Sequence, residues 1–477
     1  MSRKHQFILA TALLALGTPL PAQEPAMKFR AGAFAQDITP TRFPISVNGG
    51  MNDRLATKVH DRLHARCLVL DDGTTKIALV VCDSCMIPRE VTDPAKKLAA
   101  KLTGIPPERI LISATHTHTA PTVAGVFQSE PDSEYQKYLA AQIAAGIKKA
   151  HSNLQLAKIG WGVAREPNQV FNRRWKIKPG SALLQDPFGK TTDKVKMNPG
   201  YLHPDLIEPA GPTDPDVSFI SLQSTKGIPI AFFANYSLHY VGGVPELSAD
   251  YFAMFAQSIE AHLKADAMFR PFVGILSNGT SGDINNVNFG KAGPGKRQPG
   301  EQARVVAESV AKAAFDEYKK IKHHDWIPIK MAQMEIQLGV RRPSEDDIKR
   351  AKDILAAAKK SVLTTMPEIY ARETLLMSKY PPKVNVILQA IRIGDLGIVA
   401  NPCETFVEIG LEIKKKSPLK YTFTLSLANG YNGYLPTPEQ HALGGYETWR
   451  AQSSYVEVNA SHAIMAAWLE LLKDVSR

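Results

Sequence analysis

Short apolar runs of strand length alternate with amphipathic helical segments along almost the whole chain, and this alternation limits the fold more than any other feature. Residues 68–70 and 77–81 read as two strands flanking the turn Asp71-Asp72-Gly73. A helix is expected over about 93–102 and a strand over 110–113. Across 133–150 the apolar positions recur at spacings of three and four, which predicts a helix with Ser133 as its cap. Strands follow at 217–222, 228–234 and 273–276, with helices at 251–264 and 301–320. The expected fold class is therefore α/β, a mixed α+β layered core. With 477 residues, 44% of them hydrophobic, there is ample material for a large core. Two stretches break the rhythm, 176–212 and 290–300; both are rich in Pro, Gly and Lys and read as long surface loops or lids. Residues 343–379 read as a charged helical excursion packed on the core, and no linker divides the chain into independent domains.

Near the N-terminus, Arg3 and Lys4 precede an apolar run over 7–17, which is followed by Pro19-Leu20-Pro21-Ala22. That is the pattern of a signal peptide cleaved after Ala22, and the run is well short of the roughly 20 residues a spanning helix needs. The expected location is secreted or periplasmic. The net charge of +11 is spread along the sequence without an interleaved basic and aromatic tract, which argues against a nucleic-acid partner. Contact with an anionic membrane surface or a glycan stays open. Cys67, Cys82, Cys85 and Cys403 are too few to scaffold a secreted chain of this length. They read as packed thiols, with a disulfide or a redox pair at Cys82 and Cys85 as alternatives.

The densest chemical signal is the segment Thr115-His116-Thr117-His118-Thr119, directly after an expected strand. In extended backbone, positions i and i+2 face one side, so both imidazoles can address one site, and neutral imidazole suits zinc. Two histidines on an ordinary loop are the alternative. His239 ends a second strand-like run and is followed by Gly242-Gly243 and by Ser248-Ala249-Asp250-Tyr251. The segment Asn278-Gly279-Thr280-Ser281-Gly282-Asp283-Ile284-Asn285 opens from a third strand with small polar residues that allow close backbone approach, and it lacks the lysine of a phosphate loop. Glu404 lies just past a fourth strand, and Asn429-Gly430-Tyr431-Asn432-Gly433-Tyr434 offers two phenols in a turn. Each motif follows an expected strand, the usual position of functional loops.

Taken in order, Ala35-Gln36-Asp37-Ile38-Thr39-Pro40, the His116 to His118 segment, Asn235-Tyr236-Ser237-Leu238-His239, the Asn278 to Asn285 turn, Pro402-Cys403-Glu404-Thr405-Phe406 and the Tyr431 to Tyr434 turn resemble the neutral/alkaline ceramidases and their shorter bacterial relatives. The resemblance runs over about 29–470 and implies one large ceramidase-like catalytic domain there. It implies a single Zn2+ held by His116, His239, Glu404 and Tyr434, with His118 and Arg173 contacting the reacting carbonyl or its oxyanion. Tyr434 stands either as a ligand or as a hydrogen-bond donor. The implied activity is N-acyl amide hydrolysis by zinc-bound water on a small-molecule or lipid-like acyl-amide substrate. A zinc esterase or deacylase acting on glycans and a non-catalytic lipid- or carbohydrate-binding module are the rival readings. The sequence departs from the family in two places. Asn285 stands where the family carries a serine, so no serine nucleophile exists at that position. The resemblance also stops short of the C-terminal β-sandwich domain of the larger ceramidases.

Overall fold

A computed structural model of the chain describes residues 27–266 and 272–477. The expected signal peptide over 1–22 lies outside the described residues. The core is four layers deep, helices on a sheet on a second sheet on helices. The first sheet has eight strands, in the spatial order Val273–Asn278, Pro229–Tyr236, Asp216–Ser224, Gln155–Arg165, Arg30–Asp37, His64–Asp71, Lys76–Cys82 and Ile110–Ala114. Only the two outermost pairs are parallel, Pro229–Tyr236 with Val273–Asn278 and Lys76–Cys82 with Ile110–Ala114. The second sheet has four strands, Ile329–Gly339, Lys383–Ile393, Leu396–Ala400 and Tyr421–Leu425, and its last pair is also parallel.

Strand alternation explains the layering. Leu68, Leu70, Leu79 and Val81 face inward and pack with Ile391, Ile393, Ile398 and Phe423 of the second sheet. Their neighbours Cys67, Val69, Ala78 and Val80 face the other way, against helices Arg89–Thr103 and Ser133–Ser152. Toward the other edge, Phe219, Phe232 and Tyr236 pack under helices Asp250–His262 and Glu301–Tyr318. On the far side, Leu388, Ala390 and Val399 lie against Trp468 and Leu472 of helix Ala460–Ser476. Cys67, Cys82, Cys85 and Cys403 are all buried free thiols, in keeping with the packing role.

Several expectations need correction. The first helix begins at Arg89 rather than near 93, and Pro94 lies inside it as the sixth residue, where its missing N–H leaves one helical hydrogen bond unmade. The cap of the next helix is Asp132, not Ser133: its carboxylate accepts from the backbone N–H groups of Glu134 and Tyr135 at 2.8 and 3.0 Å. Residues 176–212 are not simply a loop. Arg174–Ile177 pairs with Val195–Met197 and Leu206–Pro209 in a small three-stranded sheet. Residues 343–379 do hold the expected helical excursion, as helices Glu345–Ala357 and Met366–Met377.

The C-terminal ends of Ile110–Ala114, Val273–Asn278 and Tyr421–Leu425, each parallel to a different neighbour, meet through hydrogen bonds between the residues that follow them. The Asn278 side-chain amide donates to the Thr115 carbonyl at 3.2 Å, joining the two edge strands of the large sheet. Ala114 N–H donates to Leu427 O at 3.1 Å, and Ser426 N–H donates to Asn278 O at 3.1 Å, adding the second sheet to the junction. The sequence motifs gather at this seam.

Candidate active site

His116 follows the last residue of strand Ile110–Ala114 by two positions and has φ 73°, in the left-handed region. The two histidines of this segment therefore converge by a backbone twist at His116, and the extended spacing expected from the sequence does not occur. His116 and His118 bring their Nε2 atoms to 3.2 Å. The strained backbone is held from both sides: His116 N–H donates to Ser84 O at 2.8 Å, and its Nδ1 lies 2.7 Å from Cys85 O. A carbonyl only accepts, so Nδ1 carries the proton and Nε2 presents a lone pair.

His239 arrives from the end of strand Pro229–Tyr236 and obeys the same rule. Its Nδ1 lies 3.1 Å from Ser281 O, and its Nε2 stands 3.0 Å from His116 Nε2. Glu404 is set by its N–H bond to Gly433 O at 2.9 Å and by parallel pairing with Tyr434. Its Oε1 accepts from Tyr431 Oη at 2.9 Å, while its Oε2 is buried without a hydrogen-bond partner, 3.2 Å from His116 Nε2 and 4.0 Å from His239 Nε2. His116, His239 and Glu404 are each 4% exposed or less. Two nitrogen lone pairs and a bare carboxylate oxygen thus face one another in the interior, an arrangement that repels itself unless a proton or a cation sits among them.

The electrostatics follow from this crowding. Burial lowers the pKa of His116, but the Glu404 carboxylate overrides it and holds the ring well above its ordinary value. Burial, reinforced by the charges of Arg173 and His116, pushes His239 well below its ordinary value. His118 is pushed the same way by burial, then by His116 and Arg173. Burial raises Glu404, and the charges of His116 and Arg173 bring it net below the usual carboxylate range.

Arg173 enters from a short two-stranded pairing of Phe171–Asn172 with Ile284–Asn285, and its N–H donates to Asp283 O at 2.8 Å. Its guanidinium is buried and spent in three directions: Nε on Glu447 Oε1 at 3.1 Å, Nη2 on Gly282 O at 2.8 Å and on Tyr434 Oη at 3.1 Å. The remaining nitrogen, Nη1, lies 3.3 Å from His239 Nε2. Tyr434 is buried, and burial together with Glu404 keeps its phenol well above its ordinary pKa. His118 stacks on Tyr240 at 3.7 Å between ring centroids. On its other side, Gly49 has φ 107° and leaves only enough room for a hydrogen, since a Cβ there would lie 2.3 Å from the His118 ring.

All six residues singled out from the sequence, His116, His118, Arg173, His239, Glu404 and Tyr434, therefore meet in one place. Four further contributors are assigned no role at the site by the sequence, although Tyr431 lies within one of its motifs and Cys85 within the Cys82 and Cys85 pair. Glu447 is fully buried and neutralises Arg173 and Arg174 together, with Arg174 Nη1 donating to its Oε2 at 2.6 Å. Tyr431 fixes Glu404, Gly49 makes room for His118, and Cys85 puts its thiol 3.7 Å from His116 Nδ1. A buried Arg-Arg pair demands a carboxylate, which is the one hint available for Glu447, but nothing local says which of 46 acidic residues supplies it.

Asn285 directs its Nδ2 to Asn198 Oδ1 at 2.9 Å on the wall of a cavity of about 610 Å³ beside Arg173 and His239.

The fold is similar to that of the neutral ceramidase from Pseudomonas aeruginosa, with a TM-score of 0.67 at 17% identity, covering 94% of this chain and 74% of that one. It is similar also to a ceramidase complexed with C2, with a TM-score of 0.68 at 16% identity, covering 94% and 75%. Residues 29–314, more than half of the chain, match the family described as neutral/alkaline non-lysosomal ceramidase, N-terminal. The chain belongs to the neutral/alkaline non-lysosomal ceramidase family.

Proposed function

We propose that this protein is a zinc-dependent hydrolase of N-acyl amides, exported after removal of residues 1–22, with residues 29–470 acting as one catalytic unit. The observation that carries the reading is the meeting of the His116 and His239 Nε2 lone pairs with the unpartnered Glu404 Oε2. Two imidazoles whose Nδ1 protons are taken by backbone carbonyls, plus one carboxylate, form a donor set that fits zinc, with Tyr434 as the fourth group. Zinc bound there supplies Lewis acidity and activates water near neutral pH.

The chain's own residues do the rest. Arg173 keeps its charge against Glu447 and contributes it to the oxyanion that develops on an attacked carbonyl, a contribution worth about 3 kcal/mol for one well-placed donor. His118, clamped between Gly49 and Tyr240, contacts the same carbonyl through a ring that burial and neighbouring charge keep neutral. Tyr434 shares its hydroxyl with Arg173 and so couples the carboxylate side of the site to the cationic side. The test is a panel of acyl amides and acyl esters, assayed with the purified protein before and after chelation. Amide turnover that stops on chelation and returns with zinc supports the reading. Turnover confined to esters, or none at all, removes it.

A further inference from the structure

The turn from Asn278 to Asn285 adds no side chain to the group of His116, His239 and Glu404, yet its three middle residues hold the groups around it. Ser281 O takes the Nδ1 proton of His239 at 3.1 Å. Gly282 O accepts from Arg173 Nη2 at 2.8 Å, and Gly282 N–H donates to the carbonyl of Thr405, the residue after Glu404, at 2.9 Å. The approach is close enough that a Cβ on Gly282 would lie 2.5 Å from Glu404 O. Asp283 O accepts the backbone N–H of Arg173 at 2.8 Å. The Asp283 side chain, fully buried, spans the same gap a second time. Its Oδ2 accepts at 2.7 Å from Nδ2 of Asn172, the residue before Arg173, and its Oδ1 accepts at 2.9 Å from the N–H of Val407, which opens helix Val407–Lys416 just past Glu404.

We infer that Asp283 is the positioning residue of the site: its carboxylate fixes the strand that carries Arg173 against the turn that carries Glu404. The inference rests on the zinc-hydrolase reading for what the fixed groups do, because the carboxylate acts on them only through Asn172 and Val407. Neither donor has a substitute partner of equal quality. Asn172 Oδ1 is committed to Arg174 N–H at 3.0 Å, which sets the amide so that its NH2 faces Asp283. Phe406, the cap residue of helix Val407–Lys416, makes no side-chain cap bond, so Asp283 satisfies the N–H of Val407 from across the chain. Asp283→Asn keeps one acceptor for Val407 but turns an NH2 on that of Asn172, donor against donor in the interior. Asn172→Asp opposes two acceptors instead. The two changes together exchange donor and acceptor and leave the charge of the pair as it was.

That exchange is the experiment, made in the full mature chain. Zinc affinity is read by competition with a chromophoric chelator, kcat and KM on the acyl amide that the wild type hydrolyses fastest, and stability by urea unfolding. Asp283→Asn should weaken zinc about tenfold and lower kcat at saturating zinc about tenfold, with KM within about twofold of the wild type. Asn172→Asp should do the same, and the double variant should return zinc affinity and kcat to within about threefold of the wild type. A merely structural contact gives another pattern, a lower urea midpoint in Asp283→Asn with zinc affinity and kcat unchanged, and that result overturns the inference while keeping the hydrolase. If Asp283→Asn does not fold, the double variant decides: wild-type zinc affinity and kcat support the inference, and a double variant that stays unfolded or impaired overturns it. Zinc affinity lost and recovered in this pattern by a protein that hydrolyses no amide keeps the role of Asp283 and removes the hydrolase reading.

Discussion

The Nε2 atoms of His116 and His239 stand 3.0 Å apart with their rings crossed at 89°, although 123 residues separate them in sequence. Each ring is anchored through Nδ1 to a carbonyl of a loop that follows a strand, Cys85 O for one and Ser281 O for the other. Neither ring can turn its lone pair away without losing that bond. The site is thus preorganised by backbone groups at the seam of the two sheets.

Replacing His118 by Ala or Arg173 by Lys separates catalysis from metal holding. His118 is outside the buried group of His116, His239 and Glu404, and Arg173 is a cation, so zinc content should stay near that of the wild type while amide turnover falls on the order of a hundredfold. Metal analysis alongside steady-state kinetics checks both. Loss of zinc in the Arg173 variant would reverse its assigned role.

Asn285 lines the cavity beside Arg173 and His239. Its exchange for serine should neither raise turnover nor produce a trapped acyl-enzyme. Intact-protein mass spectrometry during turnover reads this directly, and an acyl adduct on any serine would contradict the assigned mechanism.

Lys96 lies in helix Arg89–Thr103, 3% exposed, with an Nζ that has no hydrogen-bond partner. Burial pushes its pKa down from 10.5 to about 7, against the nearby charge of Asp93. The unfolded chain therefore holds a proton between pH 7 and 10.5 that the folded protein releases, and stability rises with pH across that window by up to about 1.4 kcal/mol per unit. Lys96→Met should be more stable than the wild type at pH 7, with the gap narrowing by pH 9. Urea midpoints at the two pH values measure it, and a gap independent of pH would contradict the buried-ammonium account.

Export is tested at the N-terminus. Protein recovered outside the cytoplasm of the producing cell should begin at or near Gln23, as read by N-terminal sequencing. A chain retaining Met1 in a membrane fraction would contradict cleavage.

Much of the fold was legible in the sequence because its strands are apolar runs bounded by turns. Lys76–Cys82 and Val273–Asn278 are examples, and both are buried along most of their length. The sheet built on Arg174–Ile177 was not legible. Its strands are three or four residues long, carry lysines and prolines, and gain their pairing from tertiary contacts. The site residues were legible as motifs at strand ends, and the family resemblance supplied their grouping. The left-handed twist at His116 was hidden, because a non-glycine residue in that conformation has no compositional marker. Glu447 was hidden for another reason: its partners Arg173 and Arg174 lie more than 270 residues away in the chain.

The central claim is that the buried cluster of His116, His239 and Glu404 is a zinc site on which amide hydrolysis depends. The most direct measurement is the metal content of purified mature protein, wild type beside His116→Ala, His239→Ala and Glu404→Gln, with amide turnover read on the same samples. The account predicts one zinc per wild-type chain, well below one in both histidine variants, weakened binding in Glu404→Gln, and turnover that falls with the metal. Full zinc in both histidine variants, or undiminished turnover by metal-free protein, would contradict it.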